Sequence, residues 1–170
     1  PPARRGDSTA LSSVKRSHSV AILAYHHIGV CPPEQEAAHR GLWVTQDLFT
    51  RQLAALRDGG WRCVTLDAVG AALTGGAPLP RKWVAVTFDD GWRDNLTAAL
   101  PVLRELGFSA TVFVVTGQIR QGAPADRWDD CMSAGELREW RDAGMAVGSH
   151  THTHTRLSKL DDGDARRELQ

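Results

Sequence analysis

This sequence has no surplus of charge of either sign: 20 lysines and arginines stand against 20 aspartates and glutamates, for a formal net charge of zero. A chain so balanced carries no electrostatic footprint for nucleic acid or an anionic membrane, and its expected partner is neutral or modestly charged. It also lacks a long apolar run. Val20 to Ala24 is far too short to span a bilayer and no signal-like segment precedes it, so no transmembrane segment is expected within the chain. The sequence begins with proline instead of methionine, which leaves room for a leader or anchor removed upstream. Cysteine is scarce. Cys31, Cys63 and Cys131 are an odd number without metal-like spacing, so at least one thiol is free or intermolecular and the compartment stays undecided. What is present, 170 residues of which 42% are hydrophobic, suffices for the core of a single domain.

Residues 1–18 are polar, basic and unpatterned, and read as a flexible tail. From residue 19 to 170 the chain alternates strands with helices. A first strand ends at Tyr25-His26-His27, and a loop marked by Pro32-Pro33 follows. Thr45 is placed to cap a helix whose Phe49, Leu53 and Leu56 form one apolar face, ended by Gly59-Gly60. Trp61 to Leu66 predicts a strand, with Asp67 capping a short helix over Ala68 to Leu73. The Trp83 to Phe88 strand leads to a helix from Asp94 to Leu106 in which Pro101 opens a fresh turn. Ser109 to Val115 is the fourth strand and Gly117 to Asp130 a polar loop. Ser133 caps Ala134 to Ala143, with Leu137 and Trp140 inward, and Met145 to Val147 is the fifth strand. This order predicts an α/β fold with a parallel sheet, and in barrels of that kind active sites gather at the carboxyl ends of strands. His26, Asp89-Asp90 and His150 all fall at such ends.

Two motifs carry chemistry. In Thr87-Phe88-Asp89-Asp90-Gly91 the acids sit where a buried strand ends, and consecutive extended residues point to opposite sides, so Asp89 and Asp90 are expected to divide the work. One carboxylate can bind a divalent metal while the other takes a proton from water beside it, which suits hydrolysis. The plainer alternative is an Asp-Asp-Gly turn capping a helix. The second motif is His150-Thr151-His152-Thr153-His154. Wound as a helix it puts His150 and His154 on one face with His152 pointing away; extended, it puts all three on one face. Either geometry supplies two ligands, against the alternative of a solvated loop. Together with one carboxylate, they leave an open position, as in a catalytic zinc site.

On these residues the chain resembles the polysaccharide deacetylases of carbohydrate esterase family 4, also called the NodB-homology group. Val84 to Gly91 is similar to the family's first motif and Gly148 to His154 to its second, with Ala99 to Leu103 and Ala110 to Val114 matching the helix and strand between them. Ile22-Leu23-Ala24-Tyr25-His26-His27-Ile28-Gly29 resembles the opening of the poly-N-acetylglucosamine deacetylase branch, where motif order is permuted. The resemblance implies that Asp90, His150 and His154 bind a divalent metal, zinc first, with nickel, cobalt or iron compatible. It implies that Asp89 is the catalytic base, that His26 is the general acid on the far side of the cleft from Asp89, and that Thr151 braces the histidine loop. His27 receives no role, and Trp92 and Trp128 are left as unassigned candidates for stacking on a sugar.

The implied function is metal-dependent removal of N-acetyl groups from N-acetylhexosamine units of a glycan, outside the cytoplasm or at the cell envelope. The alternatives are a noncatalytic glycan-binding or structural remnant that keeps the metal site, and an O-acetyl esterase. The implied fold is an incomplete (β/α) barrel that stops after about five strands. Its C-terminal part, with the family's proline- and tyrosine-bearing third motif, is expected to be missing from this chain.

Overall fold

The computed structural model describes residues 20–35, 39–76, 81–125 and 127–170, so the tail expected over 1–18 lies outside the described residues. In chain order the strands are β1 (Val20–Tyr25), β2 (His27–Ile28), β3 (Trp43–Val44), β4 (Arg62–Cys63), β5 (Trp83–Phe88), β6 (Ala110–Val114) and β7 (Ala146–Ser149). The α-helices are α1 (Gln46–Asp58), α2 (Leu66–Thr74), α3 (Leu100–Leu106), α4 (Ala134–Asp142) and α5 (Asp162–Glu168). The five expected strands all join one parallel sheet in the order β1-β5-β6-β7, with β4 also on β5. Trp83 and Val84 pair with both β1 and β4, and a strand has only two edges, so the short β4 occupies the β6 side of β5 before β6 begins. A second, two-stranded sheet joins β2 to β3 and had no counterpart in the sequence reading.

β5 is buried over five of its six residues, as expected for a strand covered on both faces of a parallel sheet. Phe49 and Leu53 of α1, Phe88 of β5, Val112 of β6 and Trp140 of α4 make one core. Burying each such side chain contributes about 1.5–3 kcal/mol. Trp140 is fully buried because its indole N–H has a partner, the Ala146 carbonyl at 2.9 Å. Thr45 caps α1 as expected, accepting the Leu48 N–H.

Two expectations need correction. Thr65, not Asp67, caps α2: its hydroxyl accepts the Ala68 N–H at 3.2 Å, and the helix starts at Leu66, leaving Asp67 in the first turn beside the positive end of the dipole. The helix predicted from Asp94 to Leu106 is interrupted. Asn95–Ala99 form a π-turn, closed by the Leu100 N–H on the Asn95 carbonyl, before α3 begins with Pro101 in its first turn. Pro101 has no N–H for the preceding turn, so it opens a new helical segment. The widened turn places the fully buried Asn95 under the end of β1.

The loop between β6 and α4 is anchored by Glu136. Its carboxylate completes a capping box with Ser133 and pairs with Arg93 at 2.8 Å and with Arg120. Burial alone would raise its pKa, but the Ser133 N–H, the Arg93 guanidinium, the Ser133 hydroxyl and Arg120 outweigh burial and hold it at about 2. A folded-state pKa below the unfolded one means that this stabilisation is fully present above the usual carboxylate range and is lost as pH falls through about 2. Glu136→Gln should therefore destabilise the protein by about 1–3 kcal/mol at pH 7, where two guanidiniums lose their anion. Denaturant melts of the two proteins should converge as pH falls through about 2 and wild-type Glu136 takes up its proton; a gap unchanged by pH would contradict the ion pairing.

Candidate metal centre

The site grows out of the carboxyl ends of β1, β5 and β7. β5 delivers Asp89 and Asp90, and the chain then reverses through Asp90 (φ 73°) and Gly91 (φ 82°). Gly91 is required twice over: its backbone is left-handed, and a Cβ there would lie 2.9 Å from the Val114 side chain. The turn does what two extended residues do by alternation. Asp90 is drawn inward, 7% exposed, while the Asp89 side chain keeps 25% exposure beside His26.

His150 follows β7, with its N–H on the Val114 carbonyl at 2.8 Å. The segment from 150 to 154 is neither helical nor extended: Thr151 (φ 66°) and His154 (φ 65°) both adopt the left-handed conformation. This shape brings the two imidazoles to a centroid separation of 4.9 Å, with their Nε2 atoms 3.5 Å (His150) and 3.3 Å (His154) from Asp90 Oδ1. His152 is turned away, its Nδ1 3.0 Å from the Thr116 hydroxyl and its carbonyl on the Gly117 N–H. Thr151 accepts the His154 N–H through its hydroxyl at 3.0 Å, which is the contact a brace of this loop would make.

The donor set fits a divalent cation. One carboxylate oxygen and two imidazole nitrogens lie within 4.8 Å of one another, and Asp90 Oδ1, buried, has no hydrogen-bond partner among the described residues. A buried carboxylate oxygen facing two nitrogens is costly unless a cation or proton lies between them. Asp90 Oδ2 instead accepts the Trp92 indole N–H at 3.1 Å, so the indole selects which oxygen faces the histidines. Cys131 is not part of this cluster. Burial first, and then Asp90 and three other aspartates, push its thiol up to about 11.

His26 stands beside Asp89, with Nε2 4.0 Å from Oδ2, and not across the cleft from it as the sequence reading expected. The reason is register. β1 and β5 are parallel neighbours with Tyr25 opposite Phe88, so the next residue of each leaves the sheet side by side. The Asp89 N–H also bonds the Tyr25 carbonyl at 2.9 Å. His27, unassigned from sequence, is buried, 2.7 Å from Asp94 through Nδ1, and stacked between Trp43 (3.8 Å) and Trp92 (4.5 Å). Asp94 also accepts the Ile28 N–H, and Asn95 donates to the His26 carbonyl at 2.7 Å. These groups clasp the end of β1 in place. Spacing gave no hint of them, because Asp94 and Asn95 read locally as ordinary helix-start residues.

The family model for polysaccharide deacetylases matches residues 76–170. The chain belongs to the polysaccharide deacetylase family. Among its relatives is the poly-beta-1,6-N-acetyl-D-glucosamine N-deacetylase of Escherichia coli K12, 32% identical over 128 residues, a match covering 75% of this chain and 18% of the relative. The Bacillus subtilis protein YxkH is 27% identical over 157 residues, covering 92% of this chain and 51% of its own. Among solved structures, the Streptococcus pyogenes deacetylase PplD, in complex with acetate, superposes with a TM-score of 0.77 at 30% identity, covering 88% of this chain and 64% of that one. IcaB from Ammonifex degensii gives a TM-score of 0.67 at 28% identity, covering 86% and 57%. The chain thus spans about half the length of YxkH and less of the Escherichia coli protein.

Proposed function

We propose that this chain is a metal-dependent hydrolase that removes the acetyl group from N-acetylhexosamine units of a glycan. The observation that carries the reading is the convergence of Asp90, His150 and His154 beside the half-buried Asp89 and His26. Support for the amide substrate comes from the Escherichia coli relative, which by its name acts on poly-beta-1,6-N-acetyl-D-glucosamine. A cation held by Asp90, His150 and His154, zinc first and nickel, cobalt or iron compatible, would supply a Lewis acid for the acetyl carbonyl and acidify water.

The protein's own groups do the rest. Asp89 accepts the proton of the attacking water as a C–O bond forms, and His26 gives a proton to the nitrogen as the C–N bond breaks, releasing acetate and the amine. A cavity of about 230 Å³ walled by His27, Trp43, Trp92 and Trp128 opens onto Asp90 and His154, and offers a sugar ring aromatic faces. Among the described residues no helix is long and apolar enough to cross a membrane; an extracytoplasmic or cell-envelope place of action is part of the proposal and rests on the family. The same applies to closure of the parallel sheet towards an incomplete barrel.

The test is acetate release from N-acetylglucosamine oligomers, with an O-acetylated sugar as comparison. Release from the amide supports the reading. Release from the ester alone makes the protein an O-acetyl esterase, and release from neither leaves a glycan-binding remnant.

A further inference from the structure

The histidine loop holds a conformation that its own residues do not favour. Thr151 and His154 are both left-handed without being glycine, and such residues persist only where their surroundings over-determine them. One side of the loop is held by the segment after β6, through the Thr116 N–H on the Thr151 carbonyl (3.0 Å) and the Gly117 N–H on the His152 carbonyl (2.9 Å). That approach is close enough to need glycine, since a Cβ at Gly117 would lie 2.6 Å from the His152 oxygen.

The other side is held by one residue. Glu168 Oε2 accepts the backbone N–H groups of His152 (3.0 Å) and Thr153 (2.8 Å), and Oε1 accepts the Thr153 hydroxyl at 2.7 Å. Glu168 is the last residue of α5, where a carboxylate faces the negative end of the helix dipole. Its position is unfavourable to the helix and is explained by what it binds. The Thr153 hydroxyl first, and then the Thr153 and His152 N–H groups, hold its carboxyl below the usual range.

We propose that Glu168 is a positioning residue for the metal centre. It fixes the stretch between the two ligands so that His150 and His154 turn towards Asp90 together, while touching neither imidazole. The proposal rests on the reading of Asp90, His150 and His154 as ligands. Its effect should show in metal affinity more than in the fold, because Glu168 is only partly buried and belongs to no core cluster.

The experiment compares wild type, Glu168→Ala and Glu168→Gln in the full chain, measuring zinc affinity by competition with a chromophoric chelator and thermal unfolding of the metal-free proteins. Glu168→Ala should weaken zinc binding ~10- to 100-fold, as outer-shell substitutions do, with little change in the metal-free melting temperature. Glu168→Gln should recover most of the affinity, since an amide oxygen can accept both N–H groups and its NH₂ can donate to the Thr153 hydroxyl. Wild-type affinity in Glu168→Ala overturns the proposal. So does an affinity loss matched by general unfolding, or a Glu168→Gln as weak as alanine. If wild type binds no zinc, the ligand reading has failed on its own, and amide hydrogen exchange at His152 and Thr153 in the metal-free proteins decides the rest. Faster exchange in Glu168→Ala supports its hold on the loop, and unchanged protection overturns it.

Discussion

Asp90→Ala should strip the protein of its divalent ion, whereas Asp89→Asn should keep the ion and lose acetate release by ~100- to 10,000-fold. The two neighbours differ because the left-handed turn at Asp90 sends one carboxylate inward to His150 and His154 and leaves the other beside His26. Removing a carboxylate that faces two imidazoles takes away a third of the ligand set, so the loss of affinity should exceed the ~10- to 100-fold typical of an outer-shell change. An asparagine at the neighbouring position has nearly the same shape but is neutral, and its amide cannot accept the proton. His152→Ala serves as the control among the histidines, since its ring is on Thr116 and not on Asp90. Metal content and acetate release measured on these variants, and on His150→Ala and His154→Ala, decide the assignment. Full activity in Asp89→Asn would remove its role as base, and equal metal loss in His150→Ala, His152→Ala and His154→Ala would dissolve the ligand set.

The second large effect concerns His26. His26→Ala should retain the metal, because Asp90, His150 and His154 are untouched, and should slow amide hydrolysis by ~100- to 10,000-fold. An acetyl ester with a good leaving group should be affected far less, since its departing oxygen needs little protonation. The ratio of the two losses is therefore the informative quantity. With His26 only 4.0 Å from Asp89, a change at either residue alters the other's surroundings, and the amide-to-ester ratio separates a lost proton donor from a disturbed base. Equal losses on both substrates would make His26 a support for Asp89 instead of an acid.

The parts of this site that were legible in the sequence are those written in neighbouring residues. A buried β-branched strand running into Asp89-Asp90-Gly91 specifies where two carboxylates emerge, and three histidines in five residues after another strand mark where imidazoles gather. Their geometry was not legible. Neither helical nor extended spacing describes a loop that passes through left-handed Thr151 and His154, because that shape is imposed from outside by Thr116, Gly117 and Glu168. The place of His26 was misjudged for a similar reason: residue types say nothing of register, and only the pairing of Tyr25 with Phe88 puts His26 next to Asp89. His27 with Asp94, and Asn95 with the His26 carbonyl, are partnerships between β1 and the turn after β5, far apart in the chain. At the fold level, core faces such as Phe49 and Leu53 followed their helical period, whereas the π-turn before Pro101 depended on where Asn95 is drawn by its buried partner.

Acetate release from N-acetylglucosamine oligomers before and after chelation shows whether a divalent ion at Asp90, His150 and His154 is needed for deacetylation. Release should stop when the ion is removed and return with about one zinc per chain, alongside a rise in melting temperature from preferential binding to the folded state. Acetate release that continues undiminished in the metal-free protein would contradict that need.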